Sequence, residues 1–430
     1  MAKSKKAAKD LTLEERLEQI LVPVEKQPYA VPKNWCWIHL LDSFENHTDS
    51  KKKVPRKSYL EDGKIAVVDQ GLELVGGYTN DEDMIFSGEL PVIVFGDHTR
   101  CIKYIDFPFA QGADGIKVLL PKSFYVPRSF YYALQSIDIP NMGYRRHYPL
   151  FSQFSIPLPP LLEQQRIVTR IENLYAKLEE AKEKVQAVAD GLKLRKSAIL
   201  HKAFTGELTK EWRRKNGKRI SDWCFVRFDE VAEIKSNLVD PKDYQDFWHI
   251  APDNIEKKTG ILLDYHTIAE DGVKSGKHRF YAGQILYSKI RPYLSKVVIA
   301  EFDGLCSADM YPIEAKENVR YLWYYMLSDE FLVQASNAGS RSVLPKINQK
   351  ELSKVIVRMT SHEEQQALVA ILDNIFVKEQ QVKEYAESIL IQIDTMKKAI
   401  LSRAFHGKLG TNNPNEESAV ELLKKLLQKF

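Results

Sequence analysis

The chain repeats part of itself without a gap. Sliding it by 201 residues lays Glu163-Gln164-Gln165 on Glu364-Gln365-Gln366, Ala198-Ile199-Leu200 on Ala399-Ile400-Leu401 and Ala203-Phe204 on Ala404-Phe405. Gly206 and Leu208 fall on Gly407 and Leu409, and 16 of the 46 positions across 163–208 are identical. A segment whose sequence drifts while its length stays fixed keeps a packing register, as a helix does and a loop does not. A second echo, Trp35-Cys36-Trp37 against Trp223-Cys224-Phe225, is offset by 188, so the second intervening region is 13 residues longer than the first. The plan is variable region, constant segment, variable region, constant segment.

The constant segments read as helices. Ile167, Ile171, Leu174, Leu178, Ala181, Val185, Val188, Leu192 and Ile199 follow a 4,3,4,3 spacing broken at Arg195. Leu368, Leu372, Ile375, Val382, Ala386, Ile389, Ile393, Met396 and Ile400 repeat it, broken at Glu379. Apolar a and d positions over this many heptads describe a coiled-coil seam. Pro157, Pro159 and Pro160 forbid a helix before the first copy, and Gly206 and Gly407 stand where C-caps belong. Two rods of equal length in one chain satisfy each other without an association cost, which favours an intramolecular pair over dimerisation of separate chains. Related by a pseudo-twofold, the rods lie antiparallel, with the variable domains expected at opposite ends. Residues 11–22 and 416–430 are short amphipathic stretches expected to pack together and make the arrangement cyclic.

The variable regions are rich in β-branched and aromatic residues in short runs cut by Gly, Pro and Asp, as at 64–69, 90–95, 115–120, 284–287 and 296–300. These are strand signals, with a helix expected over 320–332. The fold class is therefore α+β: two mostly-β domains separated by two long helices. The boundaries are an N-terminal tail and helix (1–28), a first domain (29–158), a central repeated helix (159–208), a second domain (209–360), a distal repeated helix (361–409) and a C-terminal helix (410–430).

Each domain carries a basic cluster. The first has Phe95-Gly96-Asp97-His98-Thr99-Arg100, then Lys103, then Gly112-Ala113-Asp114-Gly115 and Lys117. The second has Ser288-Lys289-Ile290-Arg291-Pro292-Tyr293, then Lys296, then Cys306-Ser307-Ala308-Asp309. Arg145, Arg146, Arg341, Lys346 and Asn348 are further candidates. Arg and Lys at a loop tip reach phosphates or the O6/N7 edge of guanine. The residues alone leave a solvated surface loop and a DNA-reading loop both open. A net charge of +4 permits a polyanionic partner without requiring one.

No phosphate-binding glycine loop, dinucleotide fingerprint, nucleophile elbow or zincin helix occurs, and no Asn-Pro-Pro-Tyr-like loop for a flipped adenine. His362-Glu363-Glu364 places its carboxylates in the first turn of the second rod, where the helix dipole favours them. Cys36, Cys101, Cys224 and Cys306 are too widely spaced for a metal knuckle or disulfide framework, which fits a reducing cytoplasm. No apolar run is long enough for a membrane span, and the basic N-terminus runs into charged sequence, unlike a secretory signal.

The alternation of β-rich domains with gapless repeated rods resembles the specificity subunit of type I restriction-modification systems. The likeness rests on Leu162-Glu163-Gln164-Gln165-Arg166-Ile167, on residues 198–208 and on their second copies. Residues 95–100 with 112–115, and 286–293, look like two different target-recognition-domain subtypes. The resemblance implies a non-catalytic DNA reader. Each domain would bind half of a two-part site in double-stranded DNA, with the helices setting the gap. Two copies of a modification subunit would dock on it, joined in some complexes by restriction (translocase) subunits. S-adenosylmethionine and ATP with magnesium would sit on those partners, and this chain would bind no cofactor and no metal. Base contacts are expected from His98, Thr99, Arg100, Ser288, Lys289 and Arg291, and phosphate contacts from Lys103, Lys117, Lys296 and Arg341. A different class of function, a coiled-coil scaffold whose β domains bind proteins, is the competing reading; a self-sufficient methyltransferase or nuclease lacks its motifs.

Overall fold

The computed structural model describes residues 12–113, 115–338 and 345–428, with the backbone alone at 193, 194 and 338. Two continuous helices dominate, Leu161–Phe204 and His362–Phe405, of 44 residues each and so about 66 Å long. Both end on a left-handed glycine, with φ of 79° at Gly206 and 68° at Gly407. The Glu207 N–H donates to the Lys202 carbonyl at 2.9 Å and the Lys408 N–H to the Arg403 carbonyl at 2.7 Å. These bonds satisfy carbonyls that a helix end otherwise leaves open. A Cβ on Gly407 would stand 2.4 Å from Pro32 Cγ. Gly407→Ala is expected to lower stability by about 1–2 kcal/mol, read from the urea midpoint; an unchanged midpoint would mean the cap is dispensable.

The chain divides into two compact units, Met1–Lys184 with Ile389–Phe430, and Val185–Ser388. Each contains a piece of both long helices, and within each unit those pieces run antiparallel. In the first unit the Tyr175 hydroxyl donates to the Lys397 carbonyl at 3.2 Å, and the Lys397 ammonium pairs with Glu179. Further back along the first helix, Arg166 holds Glu416 through two bonds of 2.8 Å. In the second unit the Lys196 ammonium lies 5.3 Å over the Phe376 ring. There the two interruptions of the heptad pattern meet each other, Arg195 Nε standing 3.6 Å from Glu379 Oε1. Burial pushes the Glu379 carboxyl up, against the pull of Arg195 and Lys196. Burial also draws the Lys196 ammonium down to about 8, against Glu379 and Glu256. A charged layer of this kind is satisfied at one helix offset only, so it specifies register.

The apolar seam is less uniform than its spacing suggests. Ile167 and Ile171 join the core of the first unit with Ile400 packed against it, and Leu368 and Leu372 join that of the second with Ile199. Ile393 is buried, while Leu174, Leu178, Val185, Leu192 and Ile375 are half-buried. Val188, Val382 and Ile389 are a correction: they are 51%, 40% and 40% exposed. The mid-helix positions belong to none of the domain cores, and a seam residue covered by one neighbouring helix keeps an open flank.

Each unit builds its domain on one plan. In the first, a four-stranded antiparallel sheet runs in the order Phe44–Asn46, Ile116–Pro121, Val92–Gly96, Ile102–Ile105. In the second, the order Ala232–Ile234, Met310–Ala315, Ile285–Ser288, Val297–Ile299 repeats it strand for strand. A companion sheet pairs Ile65–Val68 in parallel with Phe109–Gln111, as Trp248–Ile250 pairs with Gly304–Cys306. The second companion sheet adds Lys277–Phe280 and Leu238–Val239, part of its extra length. Where one helix was expected over 320–332 there are two, Val319–Met326 and Asp329–Ala338. The break lies at Ser328, whose hydroxyl donates to the Tyr325 carbonyl at 2.6 Å instead of leaving the backbone to continue.

The repeated Glu-Gln-Gln anchors each domain to its helix. The Trp35 indole donates to Glu163 at 2.8 Å and the Trp223 indole to Glu364 at 2.9 Å. Glu163 also accepts from Asn412 at 2.7 Å, and Glu364 from Thr209 and Arg213 at 2.6 Å each. The carboxylate opening one long helix is thus held by the segment that follows the other. Terminal helices Leu13–Ile20 and Ala419–Leu427 pack together in the first unit through Leu17, Ala419 and Leu423, as the amphipathic patterns predict.

Candidate nucleic-acid interface

In the first domain the hairpin between Val92–Gly96 and Ile102–Ile105 carries the expected cluster. The Thr99 hydroxyl donates to the Gln70 carbonyl at 2.6 Å, and Arg100 turns the chain at a φ of 62°. The Arg100 guanidinium donates to the Ile139 carbonyl at 2.9 Å. A second loop joins at the Asp97 N–H, which donates to the Gly115 carbonyl at 2.5 Å. A third, 141–148, folds over the hairpin. The His98 ring stacks on Tyr144, with centroids 4.8 Å apart, and buried Asp97 accepts from the Tyr148 N–H at 2.7 Å. Tyr144 is 86% exposed, and Arg145 and Arg146 are exposed with no hydrogen bond or ion pair among the described residues.

The second domain repeats this meeting of three loops at the same place in its sheet. The hairpin between Ile285–Ser288 and Val297–Ile299 carries Lys289, Arg291 and Tyr293. The Lys289 N–H donates to the Asp309 carbonyl at 3.0 Å, and the Arg291 N–H to the Pro345 carbonyl at 2.8 Å. The Lys346 ammonium closes the set, 3.1 Å from Asp309. Arg291 and Ser295 both adopt left-handed backbone, φ 47° and 45°, and flank a single 3-10 turn, Pro292–Leu294, that forms the tip. Arg291 and Tyr293 are exposed.

Several nominated side chains are committed inside the fold. Lys103 is 5% exposed, its ammonium 3.6 Å from Asp69, and burial pulls it below the usual lysine value against the Asp69 charge. Ser288 is buried, its hydroxyl donating to the Ile290 carbonyl at 3.1 Å. The Lys296 ammonium donates to the Pro252 carbonyl at 2.7 Å and Lys289 to that of Ala308 at 2.6 Å. Asn348 caps the short helix Gln349–Leu352. Lys117 stays half-exposed, 5.1 Å over the Tyr148 ring. Arg341 and Asp114 lie outside the described residues. The exposed groups the loops bring together are therefore Thr99, Arg145 and Arg146 in one domain, with His98 half-buried beside them, and Arg291, Tyr293 and Lys346 in the other. Sequence reasoning passed over Tyr144 and Gln70, and named Asp97 only as part of the 95–100 string. The turn Asn141-Met142-Gly143 ahead of an aromatic and two arginines was the available signal.

Residues 32–187 and 220–387 each match a family model described as the type I restriction modification DNA specificity domain. The chain is 40% identical over 304 residues to the type I restriction enzyme EcoDI specificity subunit of Escherichia coli, spanning 64% of this chain and 68% of that relative. It is 23% identical over 303 residues to the EcoKI specificity subunit of Escherichia coli strain K12, spanning 64% of each. Among solved structures, a chain from work on complex assembly and conformational transition of the type I R-M system superposes with a TM-score of 0.63 at 17% identity, covering 89% of this chain and 100% of that one. The HsdS subunit from Thermoanaerobacter tengcongensis gives 0.50 at 16% identity, covering 90% of this chain and 100% of its own. At those identities the structures speak to fold alone.

Proposed function

The chain belongs to the type I restriction-modification DNA specificity family, and from that membership we propose that its two domains each read one half of a two-part site in double-stranded DNA. It is a specificity subunit, the non-catalytic member of such a system. The long helices set the length of unspecified DNA between the halves and dock two modification subunits in the cytoplasm. S-adenosylmethionine belongs to those partners, and ATP with magnesium to restriction subunits where they join. The observation that carries this reading is the repeated three-loop cluster: one topological place in two domains, filled with different polar residues. Readers of different half-sites need that combination, since the frame fixes where bases lie and the side chains choose among them.

The test is selection from randomised double-stranded DNA by the chain with its modification subunit. An enriched two-part motif with a constant gap is expected; enrichment of none would overturn the reading. Two substitutions separate the kinds of contact. Lys117→Ala is expected to weaken all sequences alike and flatten the salt dependence by about 0.9 in log–log slope. Arg291→Ala is expected to cost about 1–3 kcal/mol on the preferred site and relax choice at the second half only. Equal effects of both on both halves would contradict the division.

A further inference from the structure

We propose that His147 is a positioning residue that latches loop 141–146 as the third reading element of the first domain, and so governs which bases its half-site admits. The inference rests on the half-site reading above.

His147 is fully buried, between two exposed arginines in sequence and the hairpin in space. Its backbone N–H donates to the Asp97 carbonyl at 2.8 Å, and its ring Nδ1 lies 2.9 Å from the same oxygen. Its Nε2 accepts from the Met142 N–H at 3.1 Å. A carbonyl only accepts and a backbone N–H only donates, so the ring is the neutral Nδ1–H tautomer with both nitrogens used. One side chain thus joins the hairpin at Asp97 to the far end of the loop at Met142. Tyr144, Arg145 and Arg146 lie between Met142 and His147, with Tyr144 stacked on His98. In the second domain, residues 345–347 are tied to the hairpin without such a ring, by backbone bonds from Arg291 to Pro345 and from Ile347 to Lys289 and by an ion pair between Lys346 and Asp309, both partly exposed. A buried ring bonded at both nitrogens adds a fixed tie across its loop where the second domain adds only a solvated ion pair to its backbone bonds. The aromatic and the arginines are then presented in one arrangement, as a discriminating base reader requires.

The experiment uses the full chain with its modification subunits and duplex libraries randomised separately in each half. His147→Leu is expected to cut discrimination in the first half roughly tenfold and leave the second half unchanged. His147→Gln, whose amide both donates and accepts, is expected to restore most of it. Arg145→Ala with Arg146→Ala, both exposed, is expected to reproduce the one-sided loss without disturbing the fold. Wild-type selectivity in the first half for the double arginine variant would overturn the latch, even if His147→Leu failed to fold. Equal loss in both halves with no rescue by glutamine would overturn it too, since a merely structural role predicts that result. If the unsubstituted complex selected no two-part site, the half-site reading itself would fall, and the latch with it.

Discussion

Glu364→Ala destabilises the second unit by about 3–5 kcal/mol. The carboxylate is 2% exposed and accepts from Thr209, Arg213, Thr360 and Trp223 at 2.6–2.9 Å. Alanine leaves the Arg213 guanidinium, only 8% exposed, without its counter-charge, together with a part-buried indole N–H and hydroxyl donors. The charge left behind costs more than the pair contributes. Glu163→Ala in the first unit is expected to cost less, because its partners Trp35, Thr411 and Asn412 are neutral. Burial pushes Glu364 up, but its hydrogen bonds outweigh burial and hold it below 4.5. A carboxyl lowered in the folded state contributes stability above its unfolded value, and that contribution disappears as pH falls through the folded value. Urea titrations followed by tryptophan fluorescence check this. A Glu364→Ala midpoint equal to the wild type's would show that the network anchors nothing.

Much of the frame was legible because it obeys a period. Heptad spacing and the Gly boundaries define both long helices, with a Pro boundary before the first, and the gapless repeat pairs them inside one chain. The meeting of Arg195 with Glu379 was not legible, since it depends on the antiparallel offset, which no single helix contains. Glu364 looked like an acid favouring a helix N-terminus; its charged partner, Arg213, is 151 positions away. The candidate interface divides the same way. Arginines and a histidine at loop tips announce their chemistry, but whether a lysine is free depends on the strand beneath it. Lys103 and Ile105 share the buried face of their strand, and that alternation was available in the sequence had the strand been placed first. Lys289 and Lys296 donate to carbonyls of residues 308 and 252, contacts that sequence proximity does not announce. Val188, Val382 and Ile389 keep the seam period yet stay exposed, because periodicity marks a face and not what covers it.

The second large effect concerns length. Two weak half-site contacts joined by a stiff spacer reinforce each other only when the gap matches. On the proposed reading, the two 44-residue helices with satisfied ends act as such spacers. Four residues inserted between Ala181 and Val185, matched by four in the antiparallel partner between Ile389 and Ile393, lengthen both helices by about 6 Å. That corresponds to roughly two base pairs of duplex. The wild-type site is then expected to lose most of its affinity, while the two half-site sequences persist. Selection from randomised duplexes by the lengthened chain with its modification subunits is the direct measurement. The expected result is the same two half-sites at a longer constant gap; the same gap bound as tightly as before would contradict the account.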